Sequence, residues 1–146
     1  MYNFAKDNQT NEVKISQMCE LKVQQRIKNI IFDFGGVILN ISHKKLEDAF
    51  RSLGVSNFEE LFNQARQSEL FQKFETGEIS PHEFRSAVKS MIGLKVSNDV
   101  LDNAWNQIIG DYPPGRIDLL RKIKDNYSLF LLSNTNVIHY NYYIEN

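Results

Sequence analysis

The sequence predicts an α/β protein in which a parallel sheet is interrupted by a block of helices. Residues 28–34 combine an apolar, partly β-branched run with a glycine-rich exit, which is typical of a fully buried strand of a parallel sheet. Residues 42–110 instead repeat their apolar residues at helical spacing, and a second apolar run follows at 129–132. This block is too long for a simple crossover between strands, so we expect an inserted helical domain.

The end of the first predicted strand is the first candidate for a functional site. Asp33 follows the apolar residues 30–32, and Gly35 and Gly36 come shortly after it. Ligands of open α/β sheets bind beyond the carboxyl ends of the strands, and glycines let the backbone approach a ligand closely. The same residues can also simply end a strand in a turn, so the spacing alone leaves both interpretations open.

Helix signals follow one another through residues 42–110. Ser80, with Pro81 and Glu83 after it, is the strongest start, because it combines an N-cap, a proline at the first helical position and a capping box. Asn57 and Glu60 also have the spacing of a capping box. The predicted helices begin at Ser42, Asn57, about residue 68, Ser80 and Ser97 or Asn98, with glycine stops that include Gly54, Gly77, Gly93 and Gly110. The last of them is expected to bury Val100, Leu101, Ala104, Trp105 and Ile108.

A second candidate site follows the second strand. A helix is predicted over about 114–125, with Ile117, Leu120 and Ile123 buried, and the strand at 129–132 then ends in Ser-Asn-Thr-Asn, residues 133–136. Small hydroxyl and amide residues between a buried strand and a helix offer a hydroxyl and backbone N–H groups to an anion. An ordinary helix N-cap is the alternative interpretation, but an aspartate at the end of a neighbouring strand favours the anion site.

Composition and charge restrict the class of function. A net charge of −1 favours neither nucleic acid nor an anionic membrane surface as a partner. The single cysteine, Cys19, excludes an internal disulfide and a cysteine-based zinc site. Residues 1–10 lack the apolar stretch of a signal peptide, and no run reaches the length of a membrane span. We therefore expect a cytoplasmic protein without nucleic-acid or membrane partners, and the sequence does not indicate its oligomeric state.

Two stretches resemble the motifs of a known family. Asp-Phe-Gly-Gly-Val-Ile, from Asp33 to Ile38, resembles the first motif of the haloacid dehalogenase-like (HAD) hydrolases, and Leu-Leu-Ser-Asn-Thr-Asn, residues 131–136, resembles their second. The resemblance implies a Rossmann-like parallel-sheet core at 28–41 and 111–146, with a helical cap at 42–110. Residues 1–27 are then an N-terminal extension, with at most a weak helix over about 12–26.

The resemblance also implies the roles of individual residues. Asp33 matches the nucleophile, which forms an aspartyl-phosphate in the family's phosphatases. Asp33 and the backbone carbonyl of Gly35 would bind Mg²⁺, and Gly36, Ser133 and Asn134 would bind the phosphate of a small phosphate ester. The implied function is a Mg²⁺-dependent phosphatase acting on a small metabolite. A haloacid dehalogenase, in which the aspartate attacks carbon without a metal, and a non-catalytic binding or regulatory module are the alternatives.

The sequence departs from the common family pattern at Gly35. Most family phosphatases carry a second aspartate there as general acid, whereas a branch of sugar-phosphate phosphatases has glycine. Loss of a general acid costs about 10²–10⁴ in rate for a poor leaving group. We therefore expect a good leaving group, an acid from the helical cap, or lost activity. His43, His139 and the loop 75–78 are candidates near a substrate. For His43 an exposed position in the first helical turn is the favoured interpretation, a role of His139 near the site is the less favoured one, and a solvated turn explains the loop equally well. His82 is expected on the surface.

Two further strands of the family have no counterpart in residues 1–146. In the family they supply a Lys or Arg beside the phosphate and an acidic cluster that completes the metal site. We expect the chain to be a fragment of a longer protein and to be inactive by itself. A sheet of two core strands is also expected to expose an apolar edge and face.

Overall fold

The computed structural model describes residues 27–145, so the weak helix predicted over about 12–26 lies outside the described residues. The elements are β1 (Asn29–Phe32), α1 (His43–Ser52), α2 (Phe58–Gln67), α3 (Leu70–Glu75), α4 (Pro81–Ile92), α5 (Asn98–Asn106), α6 (Arg116–Ile123), β2 (Ser128–Leu131) and α7 (Val137–Glu145). This order confirms the α/β fold class, with a helical block, α1–α5, directly after the first strand. None of the described helices is long and apolar enough to cross a membrane.

The two strands pair in parallel and form a small sheet. Asn29 lies opposite Ser128, and Phe32 lies opposite Leu131. The prediction that the first strand is fully buried is wrong, because Ile31 is 65% exposed. Since the described sheet has two strands, part of its surface has no layer packed on it within residues 27–145. The exposed apolar residues of the sheet and its exit confirm the expected uncovered surface: Ile31, Phe130, Leu131 and Leu132.

Local capping signals explain where most helices of the block begin. The Ser80 hydroxyl accepts a hydrogen bond from the Glu83 N–H (3.2 Å), and the Glu83 carboxylate accepts one from the Ser80 N–H (2.8 Å), which confirms the capping box. Ser42 and Ser97 cap α1 and α5 through the hydroxyl alone, which accepts a hydrogen bond from the N–H of Lys45 and of Val100, respectively (3.2 Å each). The capping box predicted at Asn57 is wrong: its backbone (φ −107°, ψ 41°) departs from the extended N-cap conformation, and its side chain makes no capping hydrogen bond in the described structure.

The hydrophobic core lies mainly inside the helical block. Leu46, Phe84 and Leu101 are 0%, 1% and 1% exposed, and the stacked rings of Phe74 and Phe84 have their centroids 4.1 Å apart. Burial of such a side chain contributes about 1.5–3 kcal/mol to folding. Ile138 of α7 belongs to the same core, so the helix after β2 is anchored to the block.

Three details of α5 and α6 differ from the predictions. Helix α5 ends at Asn106, so Gly110 is not its stop. Val100 is 40% exposed because it lies in the first turn of α5 on the face away from the core. Helix α6 buries none of its residues completely, since the described elements cover its apolar face only in part. The affected residues of α6, which are half-buried, are Ile117, Leu120 and Ile123.

Two linkers connect the helical block to the rest of the chain, and they pair with each other. The first contains Asn40 and Ile41, and the second contains Ile109, Gly110 and Asp111. Ile41 and Ile109 form an antiparallel bridge. The Gly110 N–H donates to the Asn40 carbonyl (2.8 Å), and the Asn40 N–H donates to the Asp111 carbonyl (3.0 Å). The Asn40 side chain also donates to the Asp111 carboxylate (3.2 Å), which lowers the pKa of that carboxyl. A Cβ at position 110 would lie 2.7 Å from the Asn40 oxygen, so the crossing requires glycine.

Candidate functional site

The parallel register places the loop after β1, residues 33–39, and the loop after β2, residues 132–136, at one edge of the sheet; the latter is the second loop. Phe32 pairs with Leu131, and the Leu132 N–H donates to the Phe32 carbonyl (2.8 Å). Asp33 therefore leaves β1 level with Leu132, one residue before Ser133 leaves β2. The pairing brings together the aspartate and the hydroxyl that the sequence predicted for one site.

Asp33 is exposed, and its carboxylate is oriented by its own loop. The Phe34 N–H donates to the Asp33 Oδ1 atom at 2.6 Å. The Phe34 carbonyl then accepts hydrogen bonds from the N–H groups of Val37, Ile38 and Leu39, at 3.2, 2.8 and 3.0 Å. These contacts fold residues 34–39 into a tight loop that keeps the carboxylate in the solvent-accessible space beyond the strand.

The two glycines of this loop have different roles. Gly36 has a φ of +77°, a conformation that favours glycine, and its N–H donates to the Leu39 carbonyl (2.7 Å). That N–H is thus used within the loop, and a phosphate-binding role for Gly36 stays a prediction. Gly35 makes room for a neighbour, because a Cβ there would lie 3.3 Å from the Cδ1 atom of Ile41. Ile41 belongs to the first linker. A side chain at position 35, where most family phosphatases have the second aspartate, would therefore contact this linker.

Side chains from other elements fix the loop 34–39. The Phe34 ring packs edge-on against Tyr143 of α7, with centroids 5.0 Å apart and an interplanar angle of 80°. The Arg116 guanidinium at the start of α6 donates to the Val37 carbonyl. Burial and the neighbouring Tyr112 raise the pKa of Tyr143. The loop after Asp33 is thereby attached to the helix that follows the second loop.

In the second loop, the residue that caps α7 is not one of the candidate phosphate-binding residues, Ser133 and Asn134. The Asn136 Oδ1 atom accepts hydrogen bonds from the N–H groups of Ile138 (3.1 Å) and His139 (3.0 Å), so Asn136 caps α7. Ser133 is half-buried, and among residues 27–145 its hydroxyl donates only a long hydrogen bond, to the Asn134 carbonyl (3.4 Å); Asn134 is exposed. The N-cap function falls on Asn136, which leaves the Ser133 hydroxyl for another partner.

The three histidines lie in different environments. The His139 ring stacks on Trp105 of α5, with centroids 5.5 Å apart and an interplanar angle of 14°, and its Nδ1 atom lies 3.1 Å from the Asn136 amide. Burial lowers the pKa of His139 to about 4, so the ring is neutral at pH 7 and helps join α7 to the helical block. His43 is exposed at the start of α1 and contacts Phe62 edge-on. His82 is exposed, as predicted.

A groove lies between the helical block and the second loop. It has a volume of about 440 Å³, and one wall comes from the turn between α3 and α4 while the other comes from Thr135 and the start of α7. The sequence pointed separately to the turn 75–78 and to residues 133–136, which include Thr135. It gave no signal for Tyr140 or for the contact between the two stretches, because they lie far apart in the chain. The lining residues include Glu75, Gly77, Ser80, Thr135, Asn136 and Tyr140.

The ligands available for a metal at the sheet edge are few and hard. Asp33 provides a carboxylate, and Gly35 provides a backbone carbonyl in the next turn. Within residues 27–145, the structure gathers no three His, Cys, Asp or Glu side chains into a metal cluster. A set of one carboxylate and one carbonyl fits a cation that keeps several waters, and it does not fit zinc.

Comparisons with known proteins identify the family. The sequence is 34% identical over 110 residues to the D-ribitol-5-phosphate phosphatase of Bacteroides thetaiotaomicron, and the match covers 75% of this chain and 53% of that enzyme. A crystal structure of a HAD family enzyme from the same organism superposes with a TM-score of 0.75 at 38% identity, covering 82% of this chain and 59% of that one. The chain belongs to the HAD-like hydrolase superfamily.

Other HAD structures agree with this assignment. The Bacteroides enzyme in complex with magnesium and inorganic phosphate gives a TM-score of 0.73 at 39% identity, with coverage of 82% and 59%. A predicted HAD-like hydrolase from Porphyromonas gingivalis gives 0.64 at 30% identity, with coverage of 77% and 53%. No protein-family profile matches the sequence. The chain spans about half the length of the D-ribitol-5-phosphate phosphatase that it matches, namely 53%.

Proposed function

We propose that this chain carries the nucleophile and part of the phosphate site of a Mg²⁺-dependent HAD phosphatase for a small phosphorylated metabolite. The observation that carries the proposal is the parallel register, which brings Asp33 and Ser133 to the same edge of the sheet. Residues 42–110 act as a helical cap in this proposal, because the turn 75–81 of that block approaches the loop after β2. Two observations on relatives support the reaction class: the Bacteroides relative is a D-ribitol-5-phosphate phosphatase, and the HAD family enzyme from the same organism binds magnesium and inorganic phosphate.

The residues at the sheet edge fit Mg²⁺. Mg²⁺ is a hard cation that takes one or two carboxylates together with carbonyls and water. We assign its protein ligands in this chain to the Asp33 carboxylate and the Gly35 carbonyl. When bound, the ion neutralises phosphate charge that would otherwise repel the attacking carboxylate.

The reaction proceeds in two displacements at phosphorus. A carboxylate oxygen of Asp33 forms a bond to phosphorus while the bond between phosphorus and the ester oxygen breaks, and the released alkoxide takes up a proton. The Ser133 hydroxyl donates a hydrogen bond to a phosphoryl oxygen, and the backbone N–H of Asn134 donates another. Water then attacks the aspartyl-phosphate, which releases inorganic phosphate and restores the carboxylate.

Gly35 provides no acid for the first displacement. The proton for the alkoxide must come from a different residue of the site, from water or from the substrate itself. Since the Bacteroides relative is a D-ribitol-5-phosphate phosphatase, we take D-ribitol 5-phosphate as the first test substrate. None of the relatives described above supports haloacid dehalogenation to the same degree.

The test is Mg²⁺-dependent phosphate release by the full-length protein and by its Asp33→Asn variant. We expect the variant to lose at least about a thousandfold in kcat, because it lacks the nucleophile. Mass spectrometry of the acid-quenched wild-type reaction should show the chain with one phosphoryl group added. The control is Asp118→Asn, since Asp118 is an exposed aspartate of α6. Undiminished turnover in Asp33→Asn would refute the proposal, and metal-independent halide release would favour the dehalogenase.

A further inference from the structure

The second loop is held at its two ends by different parts of the fold. At its start, the Leu132 N–H donates to the carbonyl of Phe32 in β1, which attaches the loop to the sheet. At its end, Asn136 is 5% exposed and caps α7, and Ile138 of that helix lies in the core of the helical block. The three residues between these anchors, 133–135, therefore connect the sheet to the helical block.

A histidine of α7 holds the Asn136 end of the loop. Because the Asn136 oxygen caps the helix, the amide nitrogen faces the His139 ring and lies 3.1 Å from its Nδ1 atom. An amide NH₂ group donates hydrogen bonds and cannot accept them, so Nδ1 is the acceptor and carries no proton. The proton of the neutral ring is then on Nε2, which is buried. Burial, which lowers the pKa of His139 to about 4, favours the same neutral form.

The ring of His139 also lies against the helical block. It stacks nearly parallel on Trp105 of α5, which is 8% exposed. Trp105 in turn packs against the rings of Phe71 and Phe84, with centroids 5.3 and 5.2 Å away. Since closely packed side chains transmit a displacement, a shift of α5 moves the imidazole, and its hydrogen bond to Asn136 passes the shift on to the loop.

We propose that His139 is a positioning residue of the phosphate site, which couples α5 of the helical block to the second loop. The Ser133 hydroxyl and the Asn134 N–H are aligned for phosphate only while the imidazole bridges α5 and the loop. The inference rests on the proposed function and adds the residue through which the helical block controls the phosphate donors. His139 acts through Asn136 and does not touch the phosphate. A displacement of about 1 Å is enough to impair groups that must meet a reacting centre.

Phosphate binding tests the loop side of this coupling. Calorimetry on the full-length protein in Mg²⁺ gives the dissociation constant of inorganic phosphate. His139→Phe keeps an aromatic ring on Trp105 but removes the Nδ1 acceptor, and we expect it to weaken phosphate binding roughly tenfold. The amide NMR signals of Ser133 and Asn134 should shift in the same variant before phosphate is added.

A second pair of variants tests the side of the helical block. Trp105→Leu removes the flat surface under the imidazole and should weaken phosphate binding by a similar factor. Val88→Ala is the control, because Val88 is equally buried in α4 (8% exposed) and lies outside the chain of contacts from Trp105 to Asn136. It should lower the melting temperature and leave the dissociation constant unchanged.

The protonation of the ring is a signature that needs no loss of stability. Nitrogen NMR of the wild-type imidazole at pH 7 should show the proton on Nε2. In Asn136→Asp an oxygen still caps α7, but an acceptor replaces the donor that faces the ring, so Nδ1 should become protonated.

Three results would overturn the coupling: a proton on Nδ1 in the wild type, unchanged phosphate affinity in His139→Phe or Trp105→Leu, or an equal loss of affinity in Val88→Ala. The first of these is measured without any substitution, so it applies even where a variant does not fold. If inorganic phosphate does not bind the wild type, the proposed function fails and this inference fails with it. Phosphate binding of the same strength in all variants refutes the inference alone.

Discussion

The linker crossing at Gly110 predicts a specific response to one added methyl group. In Gly110→Ala, the new Cβ would lie 2.7 Å from the Asn40 carbonyl oxygen and 2.9 Å from the Asn40 Cβ. The oxygen belongs to the backbone, so no side-chain rotation relieves the overlap. The linkers must separate, which weakens the hydrogen bonds from Gly110 to Asn40 and from Asn40 to Asp111.

The cost follows from these bonds. Each of these backbone bonds is worth about 1 kcal/mol, and the alanine recovers about 0.5 kcal/mol by restricting the unfolded chain. We expect Gly110→Ala to lower the free energy of unfolding by about 1.5 kcal/mol and the melting temperature by roughly 6 °C. Urea unfolding and a thermal scan followed by circular dichroism measure both quantities.

Gly35→Ala is the matched control for this substitution. Its Cβ would meet only the flexible end of Ile41, at 3.3 Å, so the neighbour can yield and the cost should stay below about 1 kcal/mol. Equal stability of Gly110→Ala and Gly35→Ala would refute the assignment of Gly110 to a close backbone crossing.

Two further predictions concern stability. Asp102 pairs with Arg85 through two short hydrogen bonds (2.7 and 2.8 Å) at a half-buried site, so Asp102→Ala should lower the free energy of unfolding in urea by about 2 kcal/mol. Asp118→Ala breaks the exposed pair with Arg121 and should lower it by less than about 0.5 kcal/mol. Equal losses in the two variants would contradict this reasoning. The pKa of His139 is about 4 in the folded chain and about 6.5 in the unfolded chain. Between these two values the unfolded chain binds a proton that the folded chain does not. The free energy of unfolding should therefore fall as the pH drops below 6.5, by about 2 kcal/mol from pH 7 to pH 5. In His139→Gln that part of the pH dependence should disappear, and an unchanged profile would exclude a buried neutral histidine.

The parts of the fold that could be predicted from sequence are those encoded within a few neighbouring residues. The capping box of α4 needs only Ser80, Pro81 and Glu83, and the structure has it as predicted. Gly110 was assigned to a helix stop because a glycine after an apolar repeat usually has that role. Its actual partner, Asn40, lies 70 positions earlier and could not be inferred from local sequence. The exposure of Val100 has the same origin, since helical spacing does not show which neighbour covers a first turn.

The candidate site shows the same division. Asp33 and Ser133 could be placed at one sheet edge because each follows an apolar strand and parallel strands align their carboxyl ends. The position of His139 against Trp105 depends on how α7 packs on α5, which the sequence does not encode locally. The groove likewise lies between the turn 75–81 and residues 135–140. Because these stretches are far apart in the chain, the sequence alone does not show that they meet.

The glycine in place of the usual second aspartate is connected to the linkers as well as to the chemistry. A side chain at position 35 would start 3.3 Å from Ile41, and Ile41 pairs with Ile109 where the two linkers cross. Both Gly35 and Gly110 thus give space to the same pair of linkers, one close to Asp33, the proposed nucleophile, and one at the exit of the helical block. A larger side chain at 35 would require the flexible end of Ile41 to shift by a few tenths of an ångström, whereas one at 110 would meet the backbone of Asn40. The glycine at the usual aspartate position and the glycine at the crossing therefore adjoin one packing arrangement, and the crossing is the part of it that tolerates no side chain.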